Sequence, residues 1–209
     1  MEEKVKTINK YLVPLVASFH LIGLGIFLYL GEAPQLSWVT IAATSILVFV
    51  KEPNIRKAVL PFGFILLFGY LIELTGVQTG YLFGSYSYSS SMGPGLFETP
   101  LVIGFCWYAV VVGGVSISRY IPGSKLARSL LTGLLTVVLD IGLEGTAKNY
   151  NLWQWEDGVI PFYNYFCWFL FSTLFAYLHL SLSREQNKFA VWVYIIWLIF
   201  FVVLAGFPS

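Results

Sequence analysis

Asp140 and Glu144 stand four residues apart inside the apolar run LLTVVLDIGLE. On a helix that spacing puts both side chains on one face, about 5–6 Å from each other. Two carboxylates this close in a greasy run should not both be charged, because mutual repulsion and lost hydration both oppose it. One of them is therefore a candidate neutral acid at pH 7. Glu73 follows a second apolar run, LLFGYLI, and opens a Gly/Tyr/Ser-rich stretch without Lys or Arg that ends at Glu98 and carries Tyr81, Phe83, Tyr86 and Tyr88. A third stretch, 145–164, holds Trp153, Trp155 and Asn164. Acids ringed by aromatic faces suit carbocation chemistry on an apolar substrate: the acid protonates an alkene and the ring faces stabilise the cation. The same parts could make a passive lipid pocket, and tryptophans at a membrane interface need no chemistry to explain them.

The elements that must position these residues are membrane helices. Of 209 residues, 57% are hydrophobic and 11% charged, against roughly a quarter charged in soluble domains. The apolar runs are long enough to cross a hydrocarbon core of about 30 Å, and the alternating pattern of a β-barrel is missing. The expectation is an all-α fold: a polytopic membrane helical bundle forming a single integral-membrane domain over 1–209. Seven transmembrane helices are predicted at 9–30, 36–50, 58–74, 100–120, 125–144, 161–181 and 189–206. They are divided by Gly31 with Pro34, Pro53, Gly76 with Gly80, Pro122 with Gly123, and Gly158 with Pro161; Thr99–Pro100 reads as an N-cap followed by proline at the first helical position. The polar leader MEEKVKTINK precedes a run too long for a signal-peptide core, so that run is kept as a mature span.

Charge gives the orientation. Lys4, Lys6 and Lys10, then Lys51, Arg56 and Lys57, then Arg119, Lys125 and Arg128, then Arg184 and Lys188 occupy alternate segments, and only Lys148 lies on the other side. The positive-inside rule puts the N-terminus in the cytoplasm and the C-terminus outside, in a multi-pass protein of the cytoplasmic (inner) membrane. Glu73, Glu98, Asp140 and Glu144 then all fall at the outer end of the bundle, Glu98 next to a helix N-terminus whose dipole favours a carboxylate. The scattered basic residues form no stripe for nucleic acid. Cys106 and Cys167 lie in apolar runs and read as packing residues, His20 as a polar residue bonded across helices, and His179 as interfacial. No HExxH, Cys/His cluster, GxSxG or phosphate-binding glycine loop is present. A retinal protein is excluded because the seventh run, FAVWVYIIWLIFFVVLAG, has no lysine for a Schiff base.

The spacing of Glu73, Gly76, Thr79, Gly80, Phe83, Gly84, Tyr86 and Tyr88, read as E-x-x-G-x-x-T-G-x-x-F-G-x-Y-x-Y, resembles the signature of the membrane carotenoid-biosynthesis hydratase family. Asp140 and Glu144, the W-x-W of Trp153 and Trp155, the run Pro161, Asn164 and Trp168, and Pro100 followed by Trp107 are similar to its later motifs. The likeness extends over roughly 73–177. Leu82 stands where the family pattern has proline, Glu144–Gly145 where it has Asp-Pro, and Cys167 where it has glycine. The resemblance implies cofactor-free hydration of the terminal double bond of an acyclic carotenoid ψ-end. It implies Asp140 first and Glu144 second as the acid, and Glu73 with Asn164 as the groups that orient water and take its proton. Phe83, Tyr86, Tyr88, Trp107, Trp153, Trp155 and Trp168 would bind the substrate. A carotenoid or other polyisoprenoid, the bilayer and carotenoid-synthesis enzymes are the expected partners, with no metal. Cyclisation of the same end by a lycopene-type cyclase, or non-catalytic carriage of a polyisoprenoid lipid, would use the same residues differently.

Overall fold

The computed structural model describes the backbone of residues 2–208 and the side chains from Tyr11 to Pro208. Each predicted apolar run forms a helix: α1 (Glu2–Leu30), α2 (Ser37–Val50), α3 (Ile55–Thr79), α4 (Val102–Ser118), α5 (Lys125–Tyr150), α6 (Phe162–Leu182) and α7 (Lys188–Gly206). Among the described residues, five are long and apolar enough to cross a membrane: α1 over Tyr11–Leu30, α3, α5, α6 and α7. The protein is thus a multi-pass membrane protein. The other two fall short, with 14 residues in α2 and 17 in α4, or about 21 and 26 Å at 1.5 Å per residue.

α4 is the central helix. It packs against α2, α3, α5, α6 and α7, and 15 of its 17 residues are buried, so it is apolar on every side. Its N-terminal end differs from expectation as well. Thr99–Pro100 form strand β3, which pairs with β2 (Gly95–Leu96), and the helix starts only at Val102. Phe97 and Glu98, at φ 50° and 62°, make the two-residue turn between these strands, a turn whose twist suits a tight hairpin. The Tyr70 hydroxyl donates to the Leu96 carbonyl (2.9 Å) and the Gln78 amide to that of Phe97 (2.9 Å), fastening the hairpin to α3.

α3 and α5 run further than the hydropathy suggested. α3 continues to Thr79 and stops at Gly80, whose φ of 67° closes the helix in the left-handed region that glycine enters without strain. α5 continues six residues past Glu144, so Asp140 and Glu144 sit well inside it rather than on its last turn. Beyond these two ends lies an element that the apolar runs did not announce. β1 (Tyr86–Tyr88) pairs antiparallel with β4 (Trp153–Trp155), in the register Tyr86 to Trp155 and Tyr88 to Trp153. Both triplets, YSY and WQW, alternate aromatic and polar residues, which puts the aromatics on one face of the ribbon. Facing rings reinforce the pairing, with centroids 4.9 Å apart for Tyr86–Trp155 and 5.8 Å for Tyr88–Trp153. The backbone bonds Ser89 N to Leu152 O (2.9 Å) and Glu156 N to Ser85 O (3.0 Å) extend it. The ribbon covers the end of the bundle where α3 and α5 stop.

The opposite end holds a second buried polar group. Glu52, between α2 and α3, approaches His179 Nε2 at 3.3 Å and accepts from the Tyr108 hydroxyl at 3.3 Å. His179 is buried, not interfacial as its position near the end of α6 suggested.

Candidate active site

The three carboxylates come together beneath the ribbon. Glu73, Asp140 and Glu144, each no more than 3% exposed, line one cavity of about 50 Å3, room for about three or four waters. α3 supplies Glu73, α5 supplies both Asp140 and Glu144, and α6 supplies Asn164. Strands β1 and β4 roof the space with Tyr86, Tyr88, Trp153 and Trp155, while Phe83 and Trp168 close its sides.

Each acid has a different set of partners. Glu73 accepts on one oxygen, Oε2, from the hydroxyls of Tyr86 (2.5 Å) and Tyr88 (2.9 Å), and on Oε1 from the Trp107 indole (3.0 Å). Glu144 accepts on Oε2 from the indoles of Trp153 (3.1 Å) and Trp155 (2.8 Å), and its Oε1 lies 3.5 Å from the Asn164 amide nitrogen. Asp140 takes a single bond, from the Asn164 amide to Oδ2 at 3.1 Å. Its Oδ1 is buried with no partner among the described residues. An indole N–H can only donate, and an ionised carboxylate can only accept. The surroundings of Glu73 and Glu144 therefore match negative charge, whereas the free oxygen of Asp140 has room for a proton. Burial pushes the Tyr86 and Tyr88 phenols well above the ordinary tyrosine range, and the neighbouring charge of Glu73 adds to this. Both hydroxyls stay protonated donors.

The local sequence explains why the ribbon can lie so near α3. A side-chain carbon added at Gly76 would meet the Phe83 ring at 2.8 Å and the Leu82 carbonyl at 2.9 Å, with the Tyr86 hydroxyl 3.3 Å away. Only glycine admits that approach. Phe83 itself turns into the cavity with φ 68°, 1% exposed.

Ten of the eleven residues expected at the site line the cavity. Trp107 does not: it lies behind Glu73, fully buried, stacked on Trp168 with centroids 3.9 Å apart and planes at 9°. Asn164 reaches Asp140 and Glu144 instead of Glu73. Glu98 sits exposed at the tip of the β2–β3 hairpin, apart from the other acids, and Tyr81 is 86% exposed. The sequence reading missed Ile41, Met92, Ile103, Cys106, Leu143, Leu152, Trp197 and Phe201, which also line the space. These are ordinary apolar residues, most of them on helices, and the four-residue spacing of Trp197 and Phe201 marks a shared face but not what it faces. Cys106 and Cys167 are buried and free, as their setting implied, though Cys106 also touches the cavity.

Residues 34–208 match the family described as carotenoid biosynthesis protein. The chain belongs to that family. Bisanhydrobacterioruberin hydratase of Haloarcula japonica is 30% identical to this carotenoid-biosynthesis protein over 123 residues, covering 55% of the present chain and 42% of that relative. The matched part thus spans less than half of the relative's length. No solved structure matches this member of the family. The membership read from the Glu73–Tyr88 and Asp140–Trp168 motifs is borne out.

Proposed function

We propose that this carotenoid-biosynthesis enzyme is a hydratase that adds water across the terminal C1–C2 double bond of an acyclic ψ-end. Asp140, neutral, gives its proton from Oδ1 to C2; the π bond is consumed and a tertiary cation forms at C1. Ring faces of Tyr86, Tyr88, Trp153 and Trp155 and the negative charge of Glu144 stabilise that cation. A water held by Glu73 bonds through oxygen to C1. Its surplus proton passes to Glu73 and returns through cavity water to Asp140, so the net change is one added H2O. Asn164 fixes the Asp140 carboxyl by holding Oδ2, which leaves Oδ1 toward the substrate. No cofactor takes part in this scheme.

The observation that carries the proposal is the asymmetry of the three acids in one aromatic cavity: two are held by donors and one keeps a buried oxygen free. Support for the substrate class comes from the family and from the relative named as a hydratase. The decisive test is co-expression with enzymes that make lycopene or γ-carotene, in ¹⁸O-labelled water. A product heavier by one labelled water is expected. An isomer of unchanged mass would replace hydration with cyclisation, and no new pigment would leave a carrier.

The same proposal includes seven membrane crossings, with α2 and α4 as short ones, and a cytoplasmic N-terminus in the inner membrane. Eleven of the twelve basic residues on one side support it. A reporter active only outside the cytoplasm should then work when fused after Asp157 and stay silent after Pro122. The reverse pattern would invert the orientation.

A further inference from the structure

The acid cavity is too small for more than a chain end. At about 50 Å3 it is far below the roughly 300–1,000 Å3 of sites that enclose whole ligands. The remainder of a long apolar substrate needs its own place, and a second, larger cavity adjoins the first. It occupies about 300 Å3 between α1, α2 and α7. Ile41, Leu152, Trp197 and Phe201 line both spaces and so form the partition between them. The mouth of the larger space opens on the side of the bundle at Phe19, Ile22, Ile26 and Leu36, which are 42–68% exposed, as side chains facing lipid tails would be.

The histidine and tryptophan in its wall are hydrogen-bonded. The Trp197 indole donates to His20 Nε2 at 2.9 Å, and His20 Nδ1 lies 2.8 Å from the Val16 carbonyl. An indole only donates and a carbonyl only accepts, so His20 is the neutral tautomer carrying its hydrogen on Nδ1. The pair presents ring surface to the groove and anchors the partition tryptophan. Phe200 stands edge-on to both His20 and Phe27, at 5.6 Å in each case. Gly23 leaves space in the wall: an added carbon there would meet only Phe200, at 3.8 Å. Anything larger grows into the groove.

We infer that the α1–α2–α7 groove holds the polyene tail of an acyclic polyisoprenoid that slides in from the bilayer, while the partition residues pass only its end to Asp140. The groove assignment rests on the hydratase reading for the identity of the tail, but its test does not depend on turnover. The protein in phospholipid vesicles would be given a linear C40 polyene with a photoreactive diazirine a short way in from one end, and the labelled peptides mapped. Labelling is expected on α1 and α7 around Gly23 and Phe200, competed by excess unlabelled lycopene, and retained in Asp140→Asn. Gly23→Leu should cut both labelling and conversion at least tenfold. Gly25→Leu, on the same helix with open space beside it, should change neither and controls for folding. Labelling at the groove without any hydrated product would uphold the groove and overturn the hydratase. Labelling elsewhere, a probe that lycopene does not displace, or a folded Gly23→Leu protein with unchanged labelling would overturn the groove.

Discussion

Replacing Asp140 with asparagine removes the transferable proton and almost nothing else. The new side chain keeps the shape, and its carbonyl oxygen can still accept the Asn164 amide now 3.1 Å from Oδ2. Oδ1 has no partner among the described residues to lose, so folding stability should change by about 1 kcal/mol or less. General acid catalysis is worth about 10²–10⁴ in rate, equivalent to about 3–5 kcal/mol of barrier at 1.36 kcal/mol per tenfold. Purified Asp140→Asn protein in lipid, with an unshifted melting temperature, should therefore hydrate lycopene at least a hundredfold more slowly than the parent. Glu144→Gln offers the contrast. It removes a charge held by two indoles, so it weakens cation stabilisation without removing the donor, and the loss should be smaller. A folded Asp140→Asn protein that keeps more than a tenth of the parent rate would refute the assignment. If Glu144→Gln were then the inactive variant, Glu144 would be the acid.

Three further outcomes follow from the geometry. The phenols of Tyr86 and Tyr88 are held above the ordinary tyrosine range near 10 by burial and by Glu73. Above about pH 10 the folded protein keeps protons that the unfolded chain has lost, so stability falls as pH rises through that region and is unaffected below it; spectrophotometric titration should find that the Tyr86→Phe, Tyr88→Phe double variant loses only late-titrating phenols. Gly76→Ala drives a carbon against Phe83 and the Leu82 carbonyl, and should cost about 1–3 kcal/mol in thermal unfolding together with much of the activity. His179→Ala leaves Glu52, among the described residues, with the Tyr108 hydroxyl as its partner. Because that cluster lies at the far end of the bundle, stability should drop by about 1–3 kcal/mol while the reaction product stays the same.

Helix number and most of the polar and aromatic lining of the candidate site were legible in the chain because both are written locally. A run of apolar residues announces a span whatever its neighbours are, and the spacing of Asp140 and Glu144 places them on one face without knowledge of any other element. The resemblance of the Glu73–Tyr88 and Asp140–Trp168 motifs then identified the family. What stayed hidden depends on residues far apart in sequence. Neither YSY nor WQW is long enough to read as a strand alone, and each exists as one only because the other, more than sixty residues away, supplies its hydrogen bonds. Hydropathy likewise could not show that α4 is greasy because helices surround it, nor that His179 meets Glu52. Composition and spacing determined a helical membrane protein with paired acids and nearby aromatics. Tertiary structure alone decided that Tyr86, Tyr88 and Trp107 bind Glu73, that two indoles bind Glu144, and that one oxygen of Asp140 is left without a partner. Chemically similar carboxylates differ by what the rest of the fold brings within about 3 Å of them.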